Sequence, residues 1–96
     1  MNHKSEPLPL YLVTHRGQLA VNTNELIASR SVTDRTAGPL VETLVEMTRH
    51  QAERLGQMVN VLSVAPAPTG DFRADGGVVV HVAADGSWHN PAHQGG

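Results

Sequence analysis

The sequence predicts an α+β fold in which one amphipathic helix packs on one face of a small antiparallel or mixed sheet. Three observations favour this class. The apolar residues of 39–58 fall on one side of a helical wheel, the stretches 8–21 and 78–90 have the pattern of β-hairpins, and a short apolar run follows the helix. The predicted order of elements is therefore β-β-(short α)-α-β-β-β.

The first hairpin is predicted over residues 8–21, where two apolar runs flank a turn that ends in glycine. A two-residue loop of Arg16 and Gly17 and a three-residue loop that also includes His15 give different registers. The three-residue loop places Val13 opposite Leu19, and it also brings Tyr11 opposite Val21. We expect this register because it collects the larger apolar side chains on one face.

The main helix is predicted over residues 39–58, with Gly38 as its N-cap and an end near Gly56. The residues of its apolar arc are Leu40, Val41, Leu44, Val45, Met47, Ala52, Leu55 and Met58. A shorter helix, capped by Asn22, Thr23 or Asn24 and reaching residue 28, is expected before it, and Glu25 follows Asn22 at the spacing of a capping box. One helix covers one sheet face. The other face is expected to be polar, covered by the short helix or buried in an oligomer.

Residues 59–64 form the next predicted strand. Their apolar side chains stand at both odd and even positions, which indicates a strand that is covered on both faces or lies centrally in the sheet. The stretch 65–77 that follows is rich in Pro and Gly and is expected to be a flexible connection, with Phe72 as its anchor.

The second hairpin is predicted over residues 78–90. A three-residue loop at 84–86 places the single tryptophan, Trp88, opposite Val82 and on the valine-rich face of the strand. A two-residue loop would place Trp88 opposite Ala83 instead. We expect the three-residue loop because it buries more apolar area.

The composition is that of one folded domain over residues 1–96, with an ordered core at about 8–90 between a polar segment 1–7 and a C-terminal tail 91–96. The chain is 40% hydrophobic and 17% charged, and it contains no cysteine, which excludes disulfides and thiolate chemistry. A net charge of −2 without a basic cluster argues against nucleic-acid binding. The chain shows no signal peptide and no membrane-spanning run, so a cytoplasmic location without membrane association is expected.

Histidine is frequent, with six residues in the chain. The register chosen for the second hairpin places His81 directly opposite His89 on the outer face of the sheet. Two imidazoles at that separation can share a metal ion, although the sequence has none of the spacings of a strong zinc motif. The alternative is a pair of solvated surface histidines, the default for an outer strand face. His81 and His89 are thus the candidate metal ligands, and no cofactor is predicted.

A second candidate site is the loop that leads into the predicted helix. Arg30, Arg35 and the backbone at Gly38 have the chemistry to receive an anion at a helix N-terminus. The loop is not a P-loop, and Asp34 would oppose a phosphate. The alternative explanation is ordinary capping and turn chemistry, with both arginines solvated.

The sequence contains no recognisable catalytic constellation. The carboxylates of the predicted helix lie on its polar face, and no serine belongs to a nucleophile motif. The sequence therefore predicts a non-enzymatic interaction or regulatory module whose partner is another protein or a second copy, as in a homodimer. The alternative is a small metal-dependent or acid/base enzyme, or a metal binder, that uses the histidine pair.

Overall fold

The computed structural model describes residues 8–90, so the predicted segments 1–7 and 91–96 lie outside the described residues. Within that range the helices and strands follow one another in a fixed order. They are β1 (Leu10–His15), a 3-10 helix (Thr23–Glu25), β2 (Leu26–Asp34), β3 (Gly38–Glu46), α1 (Arg49–Leu55), β4 (Val61–Pro66), β5 (Gly70–Arg73), a second 3-10 helix (Asp75–Gly77), β6 (Val79–Val82) and β7 (Trp88–His89).

The strands form two antiparallel sheets. The large sheet has the order β2-β3-β1-β4, and the small sheet has the order β5-β6-β7. Strands β1 and β3 are the centre of the large sheet, and their register places Leu12 opposite Leu44 and Val13 opposite Thr43. Two antiparallel sheets with one α-helix confirm the predicted α+β class.

One face of the large sheet packs against the small sheet. The buried residues of this inter-sheet core are Leu10, Leu44, Phe72, Ala74, Val80 and Val82, with Leu12, Ile27, Ala28, Ala67 and Trp88 partly buried around them. The small sheet therefore covers the face for which a polar surface, the short helix or an oligomer was expected. A second sheet does so because its valine-rich strand presents one apolar face, as a half-buried strand must.

The opposite face of the large sheet, which we call the helix-side face, packs against α1 and the segment 19–21. Its buried residues are Val13, Val45, Met47, Ala52 and Leu55, with Tyr11, Leu19, Val21, Val61 and Val64 partly buried beside them. The helix thus lies on one face of a sheet, as predicted. Its seven residues make about two turns and contribute two buried side chains.

The predicted helix over 39–58 is wrong in extent. Residues Gly38–Glu46 form strand β3, and the helix comprises Arg49–Leu55 alone. β3 is covered on both faces, so its apolar side chains do not alternate with polar ones, and the period-2 signal of a strand is lost. Val82 and Trp88 lie in the inter-sheet core and not against the helix.

Two glutamates explain why the sequence of β3 imitates a helix. Glu42 and Glu46 are four residues apart, which places them on one side of a helical wheel, but in the strand they share the face of Leu44. There Arg30 Nε donates to Glu42 at 2.8 Å, and Trp88 Nε1 donates to Glu46 at 3.3 Å. Polar partners at the rim of the core therefore accommodate both carboxylates inside a strand.

Helix α1 begins with a capping box. The N–H of Gln51 donates to Thr48 Oγ1 at 3.1 Å, and the N–H of Thr48 donates to Gln51 Oε1 at 2.8 Å. Gly56 is the C-cap, as expected, although its backbone stays right-handed at a φ of −63°. The helix therefore ends where the sequence predicts but begins at Arg49.

The first predicted hairpin, over residues 8–21, does not form. β1 is flanked by β3 on one side and β4 on the other, so neither of its edges can pair with residues 19–21. Val13 consequently lies opposite Thr43 and Val64 rather than Leu19. The segment after β1 instead crosses the helix-side face.

The short helix near Glu25 is present as one 3-10 turn. Asn22 is its N-cap, and the N–H of Asn22 donates to Glu25 Oε1 at 3.2 Å, as the capping-box spacing predicts. The turn ends at Glu25 and does not reach residue 28, because strand β2 begins at Leu26.

A strand after the helix is confirmed, but its expected place in the sheet is wrong. β4 is an edge strand rather than a central one. Only Val61 and Val64 of its six residues are partly buried, and the other four are exposed. The stretch 65–77 contains strand β5 and the second 3-10 helix, and Phe72 is buried there as the expected anchor. No helix of residues 8–90 has the length and apolarity to cross a membrane.

Candidate functional site

The second hairpin forms with the register that the sequence predicts. Val82 lies opposite Trp88, and His81 lies opposite His89. The loop is therefore the three-residue one, and Trp88 joins the inter-sheet core on the same face as Val82. The two histidines stand on the other face of the small sheet, because successive side chains of a strand alternate.

Local hydrogen bonds hold this loop. Gly86 has a φ of 91°, a conformation that favours glycine, and its N–H donates to the carbonyl of Ala83 at 3.0 Å. Asp85 Oδ1 accepts from the hydroxyl of Ser87 at 2.7 Å and from its N–H at 3.0 Å. These two bonds lower the pKa of Asp85. The turn thus determines its own geometry, and that geometry sets His81 against His89.

Asp71, His81 and His89 form a row across the three strands of the small sheet, and we call it the histidine row. Asp71 lies opposite His81, and His81 lies opposite His89. His81 Nδ1 donates to Asp71 Oδ1 at 2.7 Å, since a carboxylate can only accept. The centroids of the two imidazole rings are 5.3 Å apart, with 51° between the ring planes. The carboxylate therefore orients the ring of His81 beside that of His89.

The histidine row has the chemistry of a partly built metal site. With Nδ1 engaged by a carboxylate, Nε2 of His81 is the nitrogen available to a metal. Two nitrogens at a tetrahedral zinc lie about 3.4 Å apart, and ring centroids 5.3 Å apart permit that when the nitrogens converge. Residues 8–90 contain no group of three or more metal-ligating side chains arranged to hold a metal ion. The row thus offers two nitrogen ligands and leaves the other positions to water or another molecule.

The other histidines lie away from the row. His15 is buried in the large sheet, and His50 is exposed on α1. His3 and His93 lie outside the described residues. Whether His81 and His89 bind a metal stays a prediction, and their pairing across the hairpin is confirmed.

The loop predicted to bind an anion lacks the helix N-terminus on which that prediction depended. Gly38 begins a strand. Arg30 Nε donates to Glu42 at 2.8 Å, and the guanidinium lies 4.6 Å from the centroid of the Phe72 ring. Arg35 is exposed in the turn between β2 and β3. Anion binding at these residues stays a prediction, now with Arg30 already engaged by a carboxylate.

The carboxylate of Asp34 already accepts hydrogen bonds from the backbone of the same loop. Its Oδ1 accepts from the N–H groups of Ala37 and Thr36, both at 2.8 Å. These bonds lower the pKa of Asp34, the bond from Ala37 having the larger effect. An incoming anion would compete with this carboxylate for the same donors and would be repelled by its charge.

A hydrogen-bond chain that runs from a buried histidine to an exposed serine lies on the helix-side face of the large sheet. His15 Nε2 is 2.8 Å from Thr43 Oγ1, which is 3.0 Å from Ser29 Oγ. His15 and Thr43 are buried, and Ser29 is exposed. All three line a cavity of about 400 Å³ beneath the segment 17–23, and we call it the His15 cavity.

Burial lowers the pKa of His15 below the ordinary value of 6.5, and the nearby backbone of Gly17 and Arg16 opposes this in part. The unfolded chain therefore binds a proton near pH 6.5 that the folded chain binds only at lower pH. The folded state therefore favours the neutral imidazole of His15. The part of the free energy of unfolding that depends on a neutral His15 is present above pH 6.5 and is lost as the pH falls below that value.

We expect the free energy of unfolding to decrease as the pH is lowered through 6.5, and the decrease to level off below the folded-state pKa of His15. Urea unfolding at a series of pH values measures it. In His15→Phe this part of the pH dependence should disappear. Identical pH profiles for the two proteins would show that His15 is not the responsible group.

Strand β4 leaves one edge of the large sheet open. The opposite edge, β2, is partly covered, because the N–H and hydroxyl of Ser31 donate to Asp75 Oδ2 at 2.9 Å and 3.0 Å. Within residues 8–90, β4 pairs with β1 and with no other strand. The N–H of Ala67 donates to the carbonyl of Leu10. The backbone groups of Ala67 therefore point toward β1. Because backbone groups alternate in direction along an antiparallel strand, the N–H and carbonyl of Val64, three residues earlier, point to the open side.

The open edge is apolar and uncharged. Residues 55–70 contain no Asp, Glu, Lys, Arg or His. Three large apolar side chains near the edge are exposed, namely Met58 at 43%, Val59 at 102% and Leu62 at 45%. Charges, bulges and prolines are the features that ordinarily protect an edge strand. β4 has a bulge and one proline, Pro66, but no charge. We call β4 together with Met58 and Val59 the open-edge surface.

Comparisons with protein-family models, with curated proteins and with solved structures find no match for this chain. The histidine row, the His15 cavity and the open-edge surface are therefore interpreted from the chemistry of their own residues.

Sequence reasoning missed two residues of these sites. Asp71 lies in the stretch expected to be a connection, yet Asp71, Phe72 and Arg73 alternate polar and apolar side chains, which is a strand signal. His15 was expected in a hairpin turn. No local signal indicates its burial, because the burial arises from pairing of β1 with two distant strands.

Proposed function

We propose that the chain is a non-enzymatic interaction module that pairs with a second copy of itself through β4. The observation that carries this proposal is the open edge, since β4 is hydrogen-bonded on one side and has no charged residue within 55–70. An identical uncharged strand meets no electrostatic repulsion there. Strand addition supplies main-chain hydrogen bonds, and burial of Val59 and Leu62 removes exposed apolar area from water.

A two-fold axis beside Val64 gives this pairing its geometry. The N–H and carbonyl of Val64 point to the open side, so two antiparallel β4 strands exchange two hydrogen bonds between their Val64 residues. The same register places Leu62 opposite Pro66 of the second copy. Pro66 has no N–H to donate to the carbonyl of Leu62, so each Leu62–Pro66 pair contributes one hydrogen bond instead of two. The two large sheets then form one continuous sheet.

The mass in solution tests the proposal. β4 has six residues, so the interface is smaller than that of an obligate dimer, and we expect association that depends on concentration. Sedimentation from about 10 μM to about 1 mM covers the range of weak complexes. The mass should rise from 10.3 kDa toward twice that value. A chain that stays at 10.3 kDa throughout would contradict self-pairing.

Metal binding at the histidine row is the second candidate function. The observation that favours it is the 2.7 Å hydrogen bond from His81 to Asp71, which leaves Nε2 as the ligand atom. The side chains of His81 and Asp71 are 45% and 62% exposed. That degree of exposure suits a metal ion reached from solvent better than acid/base catalysis in a closed pocket.

Zinc titration followed by imidazole NMR tests the second candidate. We expect the signals of His81 and His89 to shift together and to saturate near stoichiometric metal. Asp71→Asn should weaken the affinity about 10- to 100-fold, because the orienting carboxylate is lost. His50→Gln, on the exposed side of α1, is the matched control and should leave the affinity unchanged. Shifts at neither histidine of the pair, or at one alone, would exclude a shared metal.

A further inference from the structure

A second cleft of the helix-side face lies between helix α1 and the segment 20–25, and we call it the α1 cleft. Its volume of about 390 Å³ is within the range of small-molecule sites. Gln51, Arg54 and Leu55 of α1 line it. These three positions form one stripe of a helix, so their side chains face the cleft together. Met47 and Leu55 are buried and form its base.

Two of the nine residues that line the α1 cleft are charged, and they belong to opposite walls. Arg54 stands on α1, and Glu25 stands on the segment across from it. The N–H of Asn22, another lining residue, donates to Glu25 Oε1 at 3.2 Å and so holds the carboxylate at its wall. In the part of the chain that the structure describes, Glu25 Oε2 accepts no hydrogen bond, and the guanidinium of Arg54 has no hydrogen bond or ion pair. A positive and a negative group therefore border the cleft without neutralising each other.

We infer that the α1 cleft binds a free α-amino acid with an aliphatic side chain. The carboxylate of the ligand accepts hydrogen bonds from the guanidinium of Arg54, and its ammonium donates to Glu25. The aliphatic side chain contacts Val21, Leu55 and Met58, and burial of Met58, which is 43% exposed, removes apolar area from water. A ligand with a single charge would be attracted by one wall and repelled by the other. An α-amino acid carries both charges and an apolar group on one carbon atom.

The dimensions of the cleft agree with a ligand of this length. A volume of 390 Å³ equals that of a sphere about 9 Å across. The two charged groups of an α-amino acid are about 3 Å apart, and each charge-assisted hydrogen bond adds about 2.8 Å, so the bridge from wall to wall spans roughly 8–9 Å. A zwitterion with more widely separated charges would exceed this width.

Four probes test this inference by NMR titration of the full chain at pH 7, where leucine carries both charges. 4-Methylpentanoate is leucine without the ammonium group, 3-methylbutylamine is leucine without the carboxylate, and glycine lacks the side chain. We expect leucine, added to about 10 mM, to shift the backbone amides of Val21 and Leu55. Its Kd should be at least about tenfold lower than that of each other probe, because each lacks one of the three contacts.

Two variants assign the charges of leucine to the walls. Arg54→Gln should no longer distinguish leucine from 3-methylbutylamine, since the partner of the carboxylate is lost. Glu25→Gln should no longer distinguish leucine from 4-methylpentanoate, and its amide oxygen can still accept from the N–H of Asn22. Arg49→Gln is the matched control, because Arg49 is 88% exposed, pairs with Glu53 and lies outside the cleft. It should keep the tenfold preference of wild type.

The inference is overturned if leucine leaves the amides of Val21 and Leu55 unshifted, or if wild type binds leucine and its single-charge analogues equally. These two results need no variant. Retention of the tenfold preference over 3-methylbutylamine by folded Arg54→Gln also overturns it.

Met58 borders both the α1 cleft and the open-edge surface. The leucine titration is therefore repeated on Leu62→Lys, which opposes pairing of β4. We expect the Kd of wild type, since one copy contains the whole cleft. Loss of binding in this variant would place the site between two copies and overturn the inference, whereas failure of self-pairing alone leaves leucine binding unchanged.

Discussion

We expect Leu44→Ala to lower the free energy of unfolding by about 3–5 kcal/mol. Leu44 lies in the middle of β3, is 1% exposed and belongs to the inter-sheet core with Phe72, Val80 and Val82. Truncation removes buried apolar area and leaves a cavity between two sheets. Because the strands on both sides are fixed by their hydrogen-bonded ladders, the cavity can collapse only in part. The loss is a large share of the 5–15 kcal/mol that is typical of a domain.

Leu26→Ala is the matched control for this variant. Leu26 is 41% exposed at the start of β2, so the same truncation there should cost less than about 1 kcal/mol. Urea unfolding followed by the fluorescence of Trp88 measures both losses, since Trp88 packs at the margin of the inter-sheet core. Similar losses for the two variants would show that Leu44 is not at the centre of a core between two sheets.

Leu62→Lys is expected to weaken self-association at least about tenfold, which corresponds to 1.4 kcal/mol. Leu62 stands in β4 and is 45% exposed, so the substitution changes the open-edge surface more than the fold. A lysine on an edge strand is the device by which natural sheets prevent pairing with another chain. The charged side chain would also have to pack against Pro66 of the second copy, with loss of the apolar contact.

Val78→Lys is the control that shows whether an added lysine outside β4 changes self-association. Val78 precedes β6 in the small sheet and is 40% exposed, which is close to the exposure of Leu62. It lies away from β4, so Val78→Lys should associate like wild type. Sedimentation of the three proteins at equal concentration measures the effect, with circular dichroism to confirm that each variant is folded. Equal association of both lysine variants would contradict pairing through β4.

The second hairpin could be predicted to the residue because its geometry is determined locally. A glycine at the left-handed position closes a three-residue loop, and the loop alone fixes Val82 opposite Trp88 and His81 opposite His89. The turn at Thr23–Glu25 was found for a similar reason, since Asn22 and Glu25 bond across three residues.

The large sheet could not be predicted because its strand pairs are distant in the sequence. β1 pairs with β3 and β4, and no turn residue near β1 indicates either partner. β3 is buried on both faces and so lacks alternation, which left a helical period as the stronger pattern. A local signal did mark the true helix start, since Thr48 and Gln51 have the spacing of a capping box.

The candidate sites were likewise predictable only where their residues lie close together in the sequence. The pair His81 and His89 was found because one hairpin contains both residues. Asp71 was missed because β5 joins the row from outside the hairpin, and His15 was missed because three strands together bury it. The open edge was missed because its exposure depends on the order of strands in the sheet. Local chemistry was therefore predictable, and chemistry assembled by topology was not.

Hydrogen exchange at the Val64 amide tests the pairing of two β4 strands most directly. In one copy this N–H points to the open side, and in the pair it is bonded to the second copy. Its exchange should slow as the protein concentration rises, whereas the amide of Ala67, bonded to Leu10 within one copy, should exchange at a constant rate. If the mass doubles while exchange at Val64 stays unchanged, the copies associate through another surface and the proposed pairing is wrong.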